Sequence, residues 1–408
     1  MVSPQSSSRS DPSIIFVGVL IGVSAMNPLA MNMFLPSMPS MVAYFQSSPA
    51  AVQLTLSLYL LASAVSMLIA GPVSDKVGRR PVLLIGLSLF LVGTLICIVS
   101  QTLPQLISGR VVQAVGGATG MTLSRAIIRD LFPRDRAASM MGYVTMGMAV
   151  APMAGPLIGG LLHEAFNWRA SFEFTLVVGV IVLAFAWLNL TETNHRTENK
   201  EAAGRLLTSF ATLFGYKTFW LYSLTNLFCS GVFFAFIGGA PFVAEQLLGM
   251  SPWEYGLYFM LMVLGYIFGN FLTGRFSGRL GINIMVTAGN LCALVGLTLI
   301  STLFALGYLH PLSLFGPMML IGIANGLTMP NAMAGIVSVR PDLAGAAAGL
   351  AGSMQIGAGA MATILVGWLL NGQLWPGTIW PMMLFMMASG TLALVTGQLA
   401  RSETERTA

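Results

Sequence analysis

Gly71-Pro72-Val73-Ser74-Asp75-Lys76-Val77-Gly78-Arg79-Arg80-Pro81 stands between two apolar runs, 51–70 and 82–101, each long enough to cross a bilayer. A turn this short has no room for a folded domain. Its glycines, its acid and its three cations must therefore act at a membrane surface, and the rest of the chain repeats the alternation of apolar run and polar turn.

Of the 408 residues 56% are hydrophobic and only 8% charged, against roughly 25% charged in ordinary soluble domains. No soluble fold buries that much apolar side chain. Inside a bilayer only helices and closed barrels satisfy their own backbone, and these runs are too long and unalternating for barrel strands. The chain therefore reads as an all-α integral membrane protein with twelve transmembrane helices, the first over 14–35 and the last over 378–399. Arg9 before the first run suggests a secretory signal, but the run stays apolar to Leu35, which favours an uncleaved span.

The basic residues test this count independently. Of the 19 Lys and Arg residues, all but Arg110 and Arg169 fall on one side of the expected membrane. The positive-inside rule then places both termini in the cytoplasm and demands an even number of crossings. The net charge of +5 reports orientation, with no compact basic domain left to bind nucleic acid. Cys97, Cys229 and Cys292 lie in apolar spans without metal-ligand spacing and read as packing residues.

The polar interval 191–218 divides the chain into a tail (1–13), a six-helix bundle (14–190), a linker, a second six-helix bundle (219–399) and a tail (400–408). Sliding the chain by 200 residues pairs Gly278 with Gly78 and sets Arg275 against Asp75, an inversion of charge. Parallel halves of this kind enclose their site between them at mid-membrane.

Three motifs carry chemistry. In the opening turn, Gly71 and Gly78 are expected to bend the backbone, Pro72 and Pro81 to sit at helix ends, and Asp75 to face a helix N-terminus, worth ~0.3–1 kcal/mol when exposed. In the fifth span Gly142 precedes Ala151-Pro152-Met153-Ala154-Gly155-Pro156-Leu157-Ile158-Gly159-Gly160, where two prolines kink the helix and the glycines admit a close neighbour. In the fourth, Arg110 stands roughly 10 Å inside the span at 1.5 Å per residue, with Gln113 on the same face. A central arginine costs at least ~2.5–3.5 kcal/mol on insertion scales, so it must find water or a partner, or snorkel to the near edge.

The opening turn resembles the loop between the second and third helices of major facilitator superfamily transporters, and Arg110-x-x-Gln113-x-x-Gly116 and Gly155-Pro156-x-x-Gly159-Gly160 resemble that superfamily's proton-coupling and antiporter motifs. With Leu35-Pro36-Ser37-Met38-Pro39 and Arg125-Ala126-Ile127-Ile128-Arg129-Asp130, the chain resembles the Bcr/CflA-type drug:proton antiporters, which include bicyclomycin and phenicol exporters. The resemblance implies two pseudo-symmetric bundles in a bacterial inner membrane, no enzyme activity, no cofactor or metal, and a carrier that works as a monomer. It implies export of drugs or other small amphipathic molecules by alternating access in exchange for protons. It also implies a conformational latch in which Asp75 faces the start of the eleventh span, near Ala344 to Gly349, and Arg79 or Arg80 reaches Asp130. Asn27, Gln53, Tyr59 and Asn226 lie on spans that line the cavity in this fold.

One departure stands out. The subfamily carries Asp-Met-Tyr-Leu-Pro at the end of its first span, and the acid is a favoured proton site; here the segment is Asn32-Met33-Phe34-Leu35-Pro36. Asparagine cannot titrate, and none of the 14 acids falls at mid-membrane. Glu173, at the start of the sixth span, is the best remaining proton candidate, ahead of His163 and Glu245. Without an acid at position 32, Arg110 is expected to lack its neighbour, which leaves open a metabolite exporter or an uncoupled facilitator whose polar or anionic solutes bind Arg110.

Overall fold

The computed structural model describes residues 14–132, 134–194, 202–370 and 378–407. Helix α1 (Ile14–Met33) passes through a 3-10 turn into the short α2 (Met38–Tyr44). Then α3 (Pro49–Val77), α4 (Arg79–Val99), α5 (Leu103–Leu131), α6 (Arg134–Ala165) and α7 (Ala170–Asn189) complete the first half. After α8 (Ala202–Phe214), the second half is α9 (Lys217–Gln246), α10 (Pro252–Leu280), α11 (Ile282–Ala305), α12 (Pro311–Ser338), α13 (Ala344–Leu370) and α14 (Trp380–Thr407). Among the described residues ten helices are long and apolar enough to cross a membrane. Helices α5 and α6 stand outside that set although they are 29 and 32 residues long, and α5 carries Arg110 and Gln113 in its interior.

The helices outrun their apolar cores, and this corrects the reading of the charged turn. Helix α3 continues through Pro72 and Asp75 to Val77, and α4 begins at Arg79, so the whole reversal is one residue, Gly78. Its φ of +111° is open to glycine but strained for any other residue. Gly71 makes no turn, and Pro72 lies inside α3 rather than at its end. The counterpart of Gly78 in the second half is Gly281, φ +83°, between α10 and α11. It lies three positions beyond the Gly278 that the 200-residue slide pairs with it, so Arg275 is not the structural counterpart of Asp75.

At the opposite end of the bundle, helix starts are fixed by local caps. Ser48 accepts from the Ala51 amide, and Ser251 with Glu254 forms a reciprocal capping box on α10. Pro49 and Pro252 fill first-turn positions where a missing N–H costs nothing.

The packing is pseudo-symmetric. In the first half α4 and α3 pack on α5, α1 on α5, α6 and α7, and α4 on α7. The second half repeats this with α11 and α10 on α12, α9 on α12, α13 and α14, and α11 on α14. The halves meet mainly through α3 against α13 and α6 against α10. At the end away from the basic turns they share one apolar cluster in which Phe34, Leu35, Leu56 and Leu60 join Phe236, Phe242 and Phe259.

Glu192, just past α7, fastens the first half to the chain that follows. Its carboxylate accepts from the amides of Arg79 (2.9 Å) and Arg80 (3.1 Å) at the start of α4, and from those of Thr193 and Asn194. Asn194 Nδ2 donates to the Asp75 carbonyl at 2.9 Å. Partial burial works against the charged form, but the four backbone donors outweigh it and hold Glu192 below the ordinary glutamate range. The clamp is therefore complete above the unfolded value of about 4.3 and is lost as pH falls through the lower folded value. Glu192→Ala is expected to cost about 1 kcal/mol, as for loss of a helix cap, and to lower the melting temperature in detergent at pH 7. An unchanged melting temperature would contradict the clamp.

Candidate transport site

The α3–α4 turn gathers charge at the basic end. Arg79 is only 4% exposed; its Nη2 lies 2.6 Å from Asp75 Oδ1, its Nε 2.9 Å from Asp130 Oδ2 on α5, and its Nη1 donates to Ser74 Oγ. A guanidinium this buried is tolerated because every face of it is paired. Arg80 does not reach Asp130: its Nη2 donates to the Trp187 carbonyl at 3.0 Å and its plane lies near the Trp187 ring. Asp75 is paired with Arg79 of its own half, and none of the described hydrogen bonds or ion pairs joins it to the start of α13.

Arg110 does not snorkel. It is completely buried, its guanidinium carbon 4.2 Å from the Phe34 ring centre, 4.0 Å from that of Tyr59 and 5.8 Å from that of Phe172. Nη1 donates to the Ala30 carbonyl at 3.0 Å and to Gln113 Oε1 at 2.6 Å, and Gln113 Nε2 donates onward to Thr94 Oγ1. Ring faces, each worth ~2 kcal/mol or more to a desolvated cation, thus replace the carboxylate that usually accompanies such a charge. The Tyr59 hydroxyl is anchored in turn on the Asn27 carbonyl and Oδ1.

Asn32 is not part of this cage. Ala30 and Phe34 face Arg110, and the residue between them points to the other side of α1. There Asn32 packs against Gly155 of α6, where an added β-carbon would lie 3.1 Å from Asn32 Cβ, and its Nδ2 donates back to the Pro28 carbonyl. The expectation that position 32 is the neighbour of Arg110 is corrected by this geometry. Glu173 is exposed in the first turn of α7 and does not join the cage; its neighbour Phe172 does.

The paired-proline helix works as a spacer between halves. Pro152 and Pro156 lie inside α6, Gly155 and Gly159 press on Asn32 and Met33 of α1, and Gly160 presses on the Pro252 carbonyl of α10. Gly256 of α10 returns the contact against Pro156 and Leu157. No β-carbon fits at Gly160 or Gly256, which is what lets α6 and α10 touch through backbone.

Helices α3 and α13 run antiparallel, and each step along one is matched by a step back along the other. Gln53 lies against Gly367, and Ser57 Oγ is 2.7 Å from Thr363 Oγ1. Farther on, a β-carbon at Gly357 would stand 4.0 Å from Ala64 Cβ, and one at Gly352 would stand 3.8 Å from Met67 Cε. Beside Gly71 and Gly349 there is open space. The seam is tight at the end away from the basic turns and looser at the basic end, where a β-carbon at Gly345 would still stand 3.9 Å from Arg129 Nη1. Two like bundles thus meet along matched antiparallel helices.

The chain belongs to the Major Facilitator Superfamily. The model of that family matches residues 20–363. The chain is 33% identical over 350 residues to multidrug resistance protein D of Escherichia coli, covering 85% of this chain and 87% of that protein. It is 31% identical to a bicyclomycin resistance protein homolog of Haemophilus influenzae, covering 87% and 89%. Its fold matches the crystal structure of a D-xylose–proton symporter with a TM-score of 0.76 at 14% identity, over 95% of this chain and 96% of the other.

Seen as a superfamily member, the chain uses its polar residues between helices rather than in an open cavity. Asn27 serves Tyr59, Asn226 Nδ2 donates to Gln355 Oε1 at 2.9 Å, and Gln53 fills the seam, so all four expected cavity residues are buried. Glu192, Phe34, Phe172 and Thr94 escaped sequence reasoning because their roles depend on which helices become neighbours. Phe172 and Phe34 left only a trace, one beside the acid and the other close after the asparagine that drew attention. Tyr59→Phe should lose the hydroxyl contacts and cost about 1 kcal/mol. Tyr59→Leu should cost ~2 kcal/mol more by removing a ring face from Arg110. Melting temperatures of the two variants in detergent compare them; equal losses would exclude the ring as a support of the charge.

Proposed function

We propose that the chain exports drugs or other small amphipathic molecules by alternating access, as a Bcr/CflA-type carrier in a bacterial inner membrane with both termini and the basic turns in the cytoplasm. The observation that carries this reading is likeness along nearly the whole length to relatives named for multidrug and bicyclomycin resistance. The α3–α13 seam supports it, because its looser packing at the basic end favours access from the cytoplasm. Arg79 with Asp75 and Asp130 acts as the latch, Pro152, Gly155, Pro156, Gly159 and Gly160 keep α6 close to both neighbours, and the carrier works as a monomer.

Protons drive the cycle inward in this reading. Asn32 cannot carry one, and Glu173, one residue from the Arg110 cage, is the carboxylate best placed to do so from the outer end. In a host lacking its own efflux pumps, the chain is expected to raise resistance to a subset of a broad drug panel. Asp130→Ala, which strips Arg79 of a partner, should remove that resistance at unchanged expression. Loss of no drug susceptibility with the intact chain would refute drug export. In inverted vesicles, substrate addition should alkalinise the lumen, and Glu173→Gln should abolish the signal.

A second reading, a carrier of polar or anionic solutes without proton coupling, is favoured by one feature. Nε and Nη2 of Arg110 have no acceptor in the protein, and these two form the edge of a guanidinium that receives a carboxylate bidentately. Under that reading an anionic solute is carried by the intact protein and lost in both Arg110→Lys and Arg110→Ala.

A further inference from the structure

The tight end of the α3–α13 seam holds a feature that neither the latch nor the Arg110 cage uses. Gln53 is 1% exposed, yet neither Nε2 nor Oε1 has a hydrogen-bond partner in the protein. Its carboxamide enters a slot walled by two glycines of the other half. A β-carbon at Gly238 of α9 would collide with Nε2, and one at Gly367 of α13 would collide with Oε1. One turn deeper, Ser57 and Thr363 share a hydrogen bond across the same seam, and Thr363 also borders Gly238.

We propose that Gln53, Gly238 and Gly367 form the outer gate of the carrier, in which the glycine slot permits closure and the unpaired carboxamide opposes it. The proposal rests on the orientation and alternating access argued above. The two roles follow from elementary costs. When the outer end parts, the carboxamide meets water and recovers its hydrogen bonds. When it closes, the amide is buried against methylene groups and its polar atoms go unsatisfied, while the halves gain close packing and the Ser57–Thr363 bond. A gate balanced in this way neither locks shut nor stands open, which a carrier that must expose its site on both sides requires. Gln53 is thus a positioning residue, since it sets which face is open without meeting the transported solute.

Spin labels test this directly in the full chain, with Cys97, Cys229 and Cys292 replaced and cysteines placed at exposed Gln101 and Leu309, one on each half at the outer end. Gly367→Ala and Gly238→Ala should each move the measured distances toward the longer, outer-open population. Gln53→Ala, which empties the slot, should return each to the short distance when combined with it. Gln53→Met, similar in volume but without polar atoms, should on its own reduce the outer-open population about tenfold and slow export with little change in KM.

Unmoved distances in the glycine variants, failure of Gln53→Ala to reverse them, or an unchanged or larger outer-open population in Gln53→Met would each overturn the proposal. Should a glycine variant fail to fold alone, recovery of folding in the Gln53→Ala background is read as reversal, and continued failure as refutation. The distances need no substrate. A normal gate without resistance to any drug would therefore refute drug export and leave the gate standing, and the converse would refute the gate alone.

Discussion

Where α3 meets α13 and α6 meets α10 the two halves touch by close backbone approach, beside the apolar cluster that joins them at the end away from the basic turns. Between helices in lipid there is little hydrophobic drive, so association rests on close backbone approach and a few polar contacts. This chain meets that constraint at both interfaces between its halves. Helices α6 and α10 touch through Gly160 and Gly256, and α3 and α13 run antiparallel with Gly352, Gly357 and Gly367 beneath the side chains of α3. Small residues make such contacts reversible, because little has to be withdrawn when the helices part.

Within the first half the problem is the reverse, since a charge must be held still. Arg110 is held by Phe34, Tyr59, Phe172, Gln113 and one carbonyl of α1, with no carboxylate among its described contacts. Tyr59 belongs to α3, Ala30 to α1 and Phe172 to α7, with Phe34 just past the end of α1, so the charge on α5 ties four helices of one half together. The same α3 presents Gln53 and Ser57 to the other half and ends on the Asp75–Arg79 pair. One helix therefore links the cage, the seam and the latch. A movement of α3 against α13 is felt at all three.

The fold was legible because the bilayer writes it plainly: the apolar runs, their polar turns and the one-sided placement of Lys and Arg leave few architectures. Helix ends were less legible. Asp75 and Lys76 look like loop in a polar turn, yet α3 runs straight through them because a helix in a bundle need not stop where its apolar face stops. The candidate site was legible by residue type and less so by neighbourhood. Arg110, Gln113 and Asp130 announce themselves as polar groups in apolar surroundings. That Asn32 points toward α6 and that Glu192 caps α4 depends on the packing of distant helices, which spacing along one chain does not encode. Gln53 read as a cavity residue for the same reason: its slot is made of two glycines, and glycines far apart in sequence leave no mark on each other.

Alternating access requires the basic end to close when the outer end opens. Gly71 on α3 and Gly349 on α13 stand at matching steps of the seam with open space beside each. Cysteines at these two positions, in a chain otherwise free of cysteine, can form a disulfide only when the helices draw to within about 7 Å. Oxidation is expected to trap the closed basic end and stop export, and reduction to restore it. Export that continues with the disulfide in place would contradict alternating access through this seam.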